Sequence, residues 1–314
     1  MPESISTMKD LIIKVQKVLV DNKANIPSIK TFKRGVLPPT PVFPAVSILP
    51  TQESYVYQYS GGKYKVNREM EIQIVTKTLK KRDGRDQIQD LLDGIRTIII
   101  ANPTMEDECY DVYFESYDLE DPIMRGKEIL SIGSAKINCI GIEYKPSRRS
   151  RTQKLYQASS THLLSKIYDL FFNYKEDPDY PLRQLKSFNV QQMPPQVIFP
   201  SAVLSEGSAE RNRDLVGIDL LNKQINIEVF TKLLDKDFAL YSNLDICENI
   251  KRILQMDSTL GGAALDSEVT QIYYRRSKDD ILGLLYNSII TFNCSTLEHL
   301  IEEEIINEDN SKSW

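Results

Sequence analysis

One tryptophan, two histidines and four cysteines are spread over 314 residues. Each scarcity excludes something. Cys109, Cys139, Cys247 and Cys294 form no Cys-x-x-Cys pair. That excludes a zinc ribbon and a disulfide framework, and predicts the reduced thiols of a cytoplasmic protein. Cys139 and Cys294 lie on apolar strands and read as small buried hydrophobes, because a reactive thiol needs exposure and a basic neighbour. His162 and His299 each lie near the start of an expected or possible helix, and the sequence supplies neither the positioned partner nor the tuned pKa of a general acid or base, so both read as surface histidines. Neither Gly-x-x-x-x-Gly-Lys nor Gly-x-Gly-x-x-Gly occurs, which removes the common phosphate-cradling loops. Acidic clusters stand at Glu106-Asp107-Glu108, Asp118 to Asp121 and Glu176-Asp177-Pro178-Asp179. They lack the alternating oxygen ligands and turn glycine of a calcium loop. The sequence therefore predicts no catalytic residue, no cofactor and no metal.

Strong charge imbalance is also missing. The net charge of -5 carries no basic stripe, so sequence-specific nucleic acid is not an expected partner. No apolar run approaches a membrane span, and no membrane partner is expected. MPESISTMKD, at the N-terminus, has neither a basic start nor an apolar core and does not read as an export signal.

What is present is a repetition. Pro38-Pro39-Thr40-Pro41-Val42-Phe43-Pro44 recurs as Pro194-Pro195-Gln196-Val197-Ile198-Phe199-Pro200, 156 positions on. A helix precedes each copy. Leu11, Val15, Val18 and Leu19 form the apolar stripe over Thr7 to Asn22; Leu163, Ile167, Leu170 and Phe171 form it over Ser159 to Tyr174. A short strand follows each proline stretch, Ala45 to Leu49 and Ser201 to Leu204. Proline is tolerated at a strand start, and Phe43 and Phe199 are expected to fill the core.

A hairpin comes next. The first copy reads Tyr55 to Tyr59, a turn at Gly61-Gly62, and Lys65 to Lys77. The second reads Leu215 to Leu220, a turn at Asn222-Lys223, and Gln224 to Lys232. Both second strands alternate and end on Thr-Lys. Helices with stripes through Ile88, Leu92 and Ile95, and through Leu244, Cys247 and Ile250, follow. Asn102-Pro103 stops the first, and Gly261-Gly262 closes the second. Two strands end each copy, Tyr110 to Ser116 with Ile129 to Glu143, and Glu268 to Arg275 with Ile281 to Cys294.

The expected fold class is therefore α+β, with two tandem homologous domains. Each is a mainly antiparallel sheet of about four to five strands packed by two helices. The domains are 1–147 and 159–297, with a basic linker at 148–158 and an acidic tail at 298–314. The hairpin residues Gly61, Gly62, Asn222 and Lys223 are candidate interface positions, together with open sheet edges. Arg148, Arg149 and Arg151 are further candidates, although a solvated connection is the simpler reading of the linker.

This order of elements resembles the tail terminator or tail completion proteins of long-tailed bacteriophages, the lambda-type minor tail protein family. The Pro-containing strands Pro41 to Val46 and Val197 to Ala202 carry the resemblance, with the long second hairpin strand and the crossing helix. It implies a structural virion protein and no enzyme. The implied assembly is a ring that caps the tail tube and presents a surface to the head. Familiar members have one domain per chain. A tandem chain could build the ring as a trimer, or as a hexamer with the second domain outside. The implied partners are further copies of the chain, the tail tube protein and head–tail connector or neck proteins. The implied location is the virion, tail or neck, after assembly in the host cytoplasm. A neck or baseplate adaptor is the alternative role, and an α+β enzyme of unfamiliar type the more distant one.

Overall fold

A computed structural model describes residues 6–38, 40–58, 63–144, 160–175, 182–194, 197–215, 218–232, 236–277 and 285–299. Among them are four helices and one mixed sheet of eleven strands. The first half holds α1 (Met8–Asp21), β1 (Thr31–Arg34), β2 (Ala45–Gln58), β3 (Lys63–Thr78), α2 (Lys81–Ala101), β4 (Asp111–Leu119), β5 (Ile123–Arg125) and β6 (Glu128–Tyr144). The second holds α3 (Ser160–Asn173), β7 (Ser187–Val190), β8 (Ser201–Leu215), β9 (Ile218–Lys232), α4 (Lys236–Met256), β10 (Asp266–Ser277) and β11 (Leu285–His299).

Local signals explain the helix ends. Thr7 caps α1 in a reciprocal pair with Asp10, satisfying amide donors that the first turn leaves orphaned. α2 ends at Ala101, before Asn102-Pro103, as the proline restriction requires. After α4 the chain turns through Gly261 and Gly262, both at positive φ.

The strand order is β4-β6-β3-β2-β10-β11-β9-β8-β7, with β1 beside β2 and β5 beside β6. In the first half the order β4-β6-β3-β2-β1 matches β10-β11-β9-β8-β7 in the second. β1 and β7 are the parallel partners of β2 and β8; all other pairs are antiparallel. The two halves form one continuous sheet because β2 changes partner along its length. Ala45 to Ile48 pair with β1, and Gln52 to Ser54 pair with β10. Pro50 sits at the changeover, beside a bulge in the β2–β3 ladder. A residue without an N–H fits where no ladder bond is made on that side.

Side-chain alternation buries one face of β3, from Tyr64 through Val66, Arg68, Met70, Ile72 and Ile74. The helices cover that face in two apolar clusters. α1 and α2 cover the first; α3 and α4 cover the second. The clusters trade residues across the middle. Leu240, Leu244 and Tyr286 of the second half join the first cluster, and Tyr55, Tyr64 and Val66 of the first half join the second.

Several expectations are corrected. The Asn222-Lys223 turn does not exist: both residues lie inside β9, opposite Glu210 and Ala209 on β8. Leu221, Ile225, Ile227 and Val229 keep one buried face through this point, so the strand runs on, and β8 runs from Ser201 to Leu215 without the expected break. β2 is likewise one long strand. Phe43 and Phe199 are only half-buried and join neither cluster. Each follows a strand-entry chain whose buried residue is the next proline, Pro44 or Pro200, and both Phe-Pro peptides are cis. The Gly61-Gly62 turn, the basic linker with Arg148, Arg149 and Arg151, and the tail from Leu300 onward lie outside the described residues.

The helix-to-strand docking is repeated in detail. Thr76 Oγ1 donates to the Gly84 carbonyl, and Thr231 Oγ1 donates to the Ala239 carbonyl, at 3.3 and 3.0 Å, both buried. Thr76→Val and Thr231→Val are each expected to lower stability by about 1 kcal/mol, the usual net worth of one such bond, read from urea denaturation midpoints. Unequal losses, with one substitution silent, would count against equivalent docking.

Candidate functional site: a buried charged junction between the halves

Among the described residues the sheet crosses from first half to second through three residue pairs, Ser54–Gln271, Glu53–Ile272 and Gln52–Tyr273. Over this narrow bridge lies a cluster of ionised side chains that sequence alone would place in solvent. Arg68 on β3 and Lys251 on α4 are each 1% exposed, and Glu53 on β2 is equally buried. Glu143 on β6 and Glu248 on α4 complete the group.

The first half supplies an arginine between two carboxylates. Arg68 Nε reaches Glu53 Oε2 at 3.2 Å, and its terminal nitrogen donates to Glu143. The second half inserts Lys251, whose Nζ donates to both oxygens of Glu143 at 3.2 and 3.1 Å. Nζ also reaches Glu248 Oε2 at 2.8 Å and lies 5.2 Å from the centre of the Tyr55 ring. Arg252 holds Glu248 from the solvent side at 2.8 Å. Glu53 accepts two phenolic hydrogen bonds, from Tyr55 at 2.6 Å and from Tyr274 of β10 at 2.5 Å. Three carboxylates thus face three cations. Buried ions survive only when paired and hydrogen-bonded in this way.

Titration follows from the arrangement. Burial by itself would push Glu248 up, but Lys251, with help from Arg252 and Arg68, brings its carboxyl down to about 2. Burial would lower Lys251, yet Glu248, Glu143 and Glu53 raise it. Burial, reinforced by Glu53, raises Tyr55 and Tyr274 well above the ordinary phenol range.

Apolar and peripheral contacts flank the cluster. Lys9 of α1 reaches Asp245 of α4 at 2.8 Å, and Tyr241 lies under both Lys9 and Arg34. Gly35, at φ 79, stands where an added Cβ would come within 2.9 Å of the Tyr286 hydroxyl and 3.1 Å of Leu240. Both the backbone angle and the close approach call for glycine.

No group of His, Cys, Asp and Glu that could hold a metal occurs among the described residues. Of the acidic clusters, Glu106 is held by Lys14 and Lys17, which lower its carboxyl. All four cysteines are buried. Its hydrogen bond with Cys109, then burial, raises Cys139; burial lifts Cys294 to about 12. A cavity of about 230 Å³ opens between α3 and β7, lined by Tyr168, Phe171, Phe172 and Phe188 among others. No described helix is long and apolar enough to cross a membrane.

Of the interface candidates, only Asn222 and Lys223 are described, and they are placed on β9 rather than in a loop. The junction residues were not expected. One signal marks them: Arg68 interrupts the inward series Tyr64, Val66, Met70, Ile72, and Lys251 follows Ile250 inside the apolar stripe of α4. A charge at an inward position calls for a buried partner. Compared with known proteins, the chain matches no family model and no curated sequence.

Lys251→Met removes the cation between two buried carboxylates. It is expected to cost about 3–5 kcal/mol, measured by urea unfolding at neutral pH. The pH dependence has two limbs. Glu248 has a folded value below its ordinary 4.5, so its contribution is complete above 4.5 and is lost as pH falls toward 2. Lys251 and the two tyrosines have raised values, so their contribution is complete below about 10 and is lost as pH rises further. Urea midpoints should form a plateau with both limbs in the wild type. A plateau extending undiminished beyond the phenol range would contradict the buried cluster.

Proposed function

We propose that the chain is a structural assembly protein, a tandem duplication of one α+β unit spanning 1–147 and 159–297, that works as a tail terminator or completion ring of a bacteriophage. The observation that carries this reading is the junction. It joins unlike edges, β2 of one half to β10 of the other, and β10 holds the place in its half that β4 holds in the first. Contact between unlike surfaces of like units is heterologous, the class that closes rings or extends filaments.

Repeated detail supports the duplication. At an offset of 156, Lys30 N–H donates to the Pro44 carbonyl as Lys186 N–H does to Pro200, and Gly35 N–H donates to Ile48 as Gln191 does to Leu204. The β4–β6 ladder has a bulge after Phe114, and the β10–β11 ladder has one after Val269, the matching position. The buried positions of α2, Gly84, Ile88, Leu91, Leu92, Ile95, Ile98 and Ile99, each match a buried position of α4 at an offset of 155. Chance similarity of two unrelated α+β halves does not require agreement at bulges.

With one unit docked head to tail on the next inside the chain, each unit fills one ring position. Three chains then supply six positions. The tail tube would meet one face of the ring and the head–tail connector the other, and the protein would reside in the virion. In a phage that encodes this chain, deleting its gene is expected to give overlong or head-free tails by electron microscopy. Tails of normal length joined to heads would overturn the terminator role. Normal tails lacking only the head joint, or only the baseplate, would move the assignment to a neck or baseplate adaptor.

A further inference from the structure

The junction inside the chain uses one edge of each half and leaves the matching edge of the other half open. β4 is the counterpart of β10, and no strand pairs with its outer side among the described residues. The distal part of β8 is the counterpart of the segment of β2 that β10 joins. β7 covers only Ser201 to Leu204, and Glu206 to Glu210 are exposed. β4 displays Tyr113 and Tyr117 at 42% and 47% exposure, and Tyr110, just before it, is 64% exposed. An edge strand bearing exposed aromatics is unusual unless something pairs with it. Tyr117 stands at the position where the other half buries Ile272.

The charges repeat as well. At an offset of 155 the junction residues Arg68, Glu143, Glu248 and Lys251 become Lys223, Glu298, Asp93 and Arg96. All four keep the sign of their charge; only Glu53 loses it, to Ala209. The ladder register gives the same matches: Arg68 pairs with Cys139 as Lys223 pairs with Cys294, and Glu143 with Tyr64 as Glu298 with Asp219. Asp93 and Arg96 lie exposed on the outer face of α2. Nothing about the interior of their own half requires a carboxylate and a cation three residues apart there. Even the size pattern has a counterpart. Gly35 stands close to Tyr286; the matching sequence positions hold Gln191, again at positive φ, and Ser131. The large partner is exchanged for the small one on each side.

We infer that a second copy of this chain docks on the first through a repeat of the internal junction, with β4 and the outer face of α2 of one chain set against the distal edge of β8 and Lys223 of the next. The expected strand pairs are Ser116 with Glu210, Tyr117 with Ala209 and Asp118 with Ser208, antiparallel. Where the internal junction packs Leu240 and Leu244, the matching α2 positions are Arg85 and Gln89, both exposed. The contact between chains is therefore more polar than the one within the chain and weakens with salt. The inference rests on reading the chain as two copies of one unit, and not on the virion role.

The test uses the full chain. Tyr117→Cys combined with Ala209→Cys, under mild oxidation, should give a ladder of disulfide-linked multimers, because the four native cysteines are buried. Tyr113→Cys combined with Ala209→Cys is the control. It is displaced by about 13 Å along the strand at ~3.3 Å per residue and should not link. By light scattering, the wild type should be an oligomer that dissociates with added salt. Arg96→Glu should reduce it to the monomer with unchanged thermal unfolding, and adding Glu298→Lys should restore the oligomer. A wild type that stays monomeric at every concentration overturns the inference while leaving the duplication standing. Oligomers that form without the Tyr117–Ala209 cross-link, or that ignore Arg96→Glu, also overturn it, while leaving an assembly role to other surfaces.

Discussion

The buried charges that join the two halves centre on Lys251 reaching Glu143. The sheet alone bridges the halves by three residue pairs, too little to fix their relation. Lys251 projects from α4 over the end of β6 and donates to both oxygens of a carboxylate that already holds Arg68. Apolar contacts through Leu240 and Leu244 supply area, but apolar surface is non-directional. The ion pairs have one arrangement in which every charge is answered. Replacing a buried pair by apolar residues is often neutral, whereas removing one partner is costly, so the pairs constrain which arrangement of the halves leaves no charge unanswered.

Much of the fold was legible because periodicity and proline chemistry are local. The helices α1, α2, α3 and α4, the long strands β3 and β6, the Gln224 to Lys232 part of β9, and the stop at Asn102-Pro103 follow from spacing and backbone restriction. Two kinds of feature were not legible. β1 and β7 are four-residue strands whose only claim to strand structure is a parallel neighbour, and a tertiary partner leaves no mark in a short segment. The Asn222-Lys223 pair carried a turn signal that a continuing buried face overrode. Local propensity lost there to the burial of Leu221 and Ile225.

The junction was hidden for a different reason. Sequence reasoning assigns charge to solvent, correctly for most residues, and so passes over the exceptions that matter. Arg68 and Lys251 each stand in an apolar series, and the interruption is the signal. Their counterparts Lys223 and Arg96 carry the same charges at repeating positions. Glycine follows the same logic. Gly35 is tied to the junction by its close approach to Tyr286 and Leu240, whereas Gln191 holds the same backbone region at the open edge.

The proposed assembly repeats one heterologous junction that the chain already uses once within itself. Class averages of the purified protein by electron microscopy, with particle mass measured in parallel, test it most directly. Closed particles with evenly spaced lobes, two for every chain, are expected. Monomers, or dimers with a two-fold axis between identical surfaces, would contradict it.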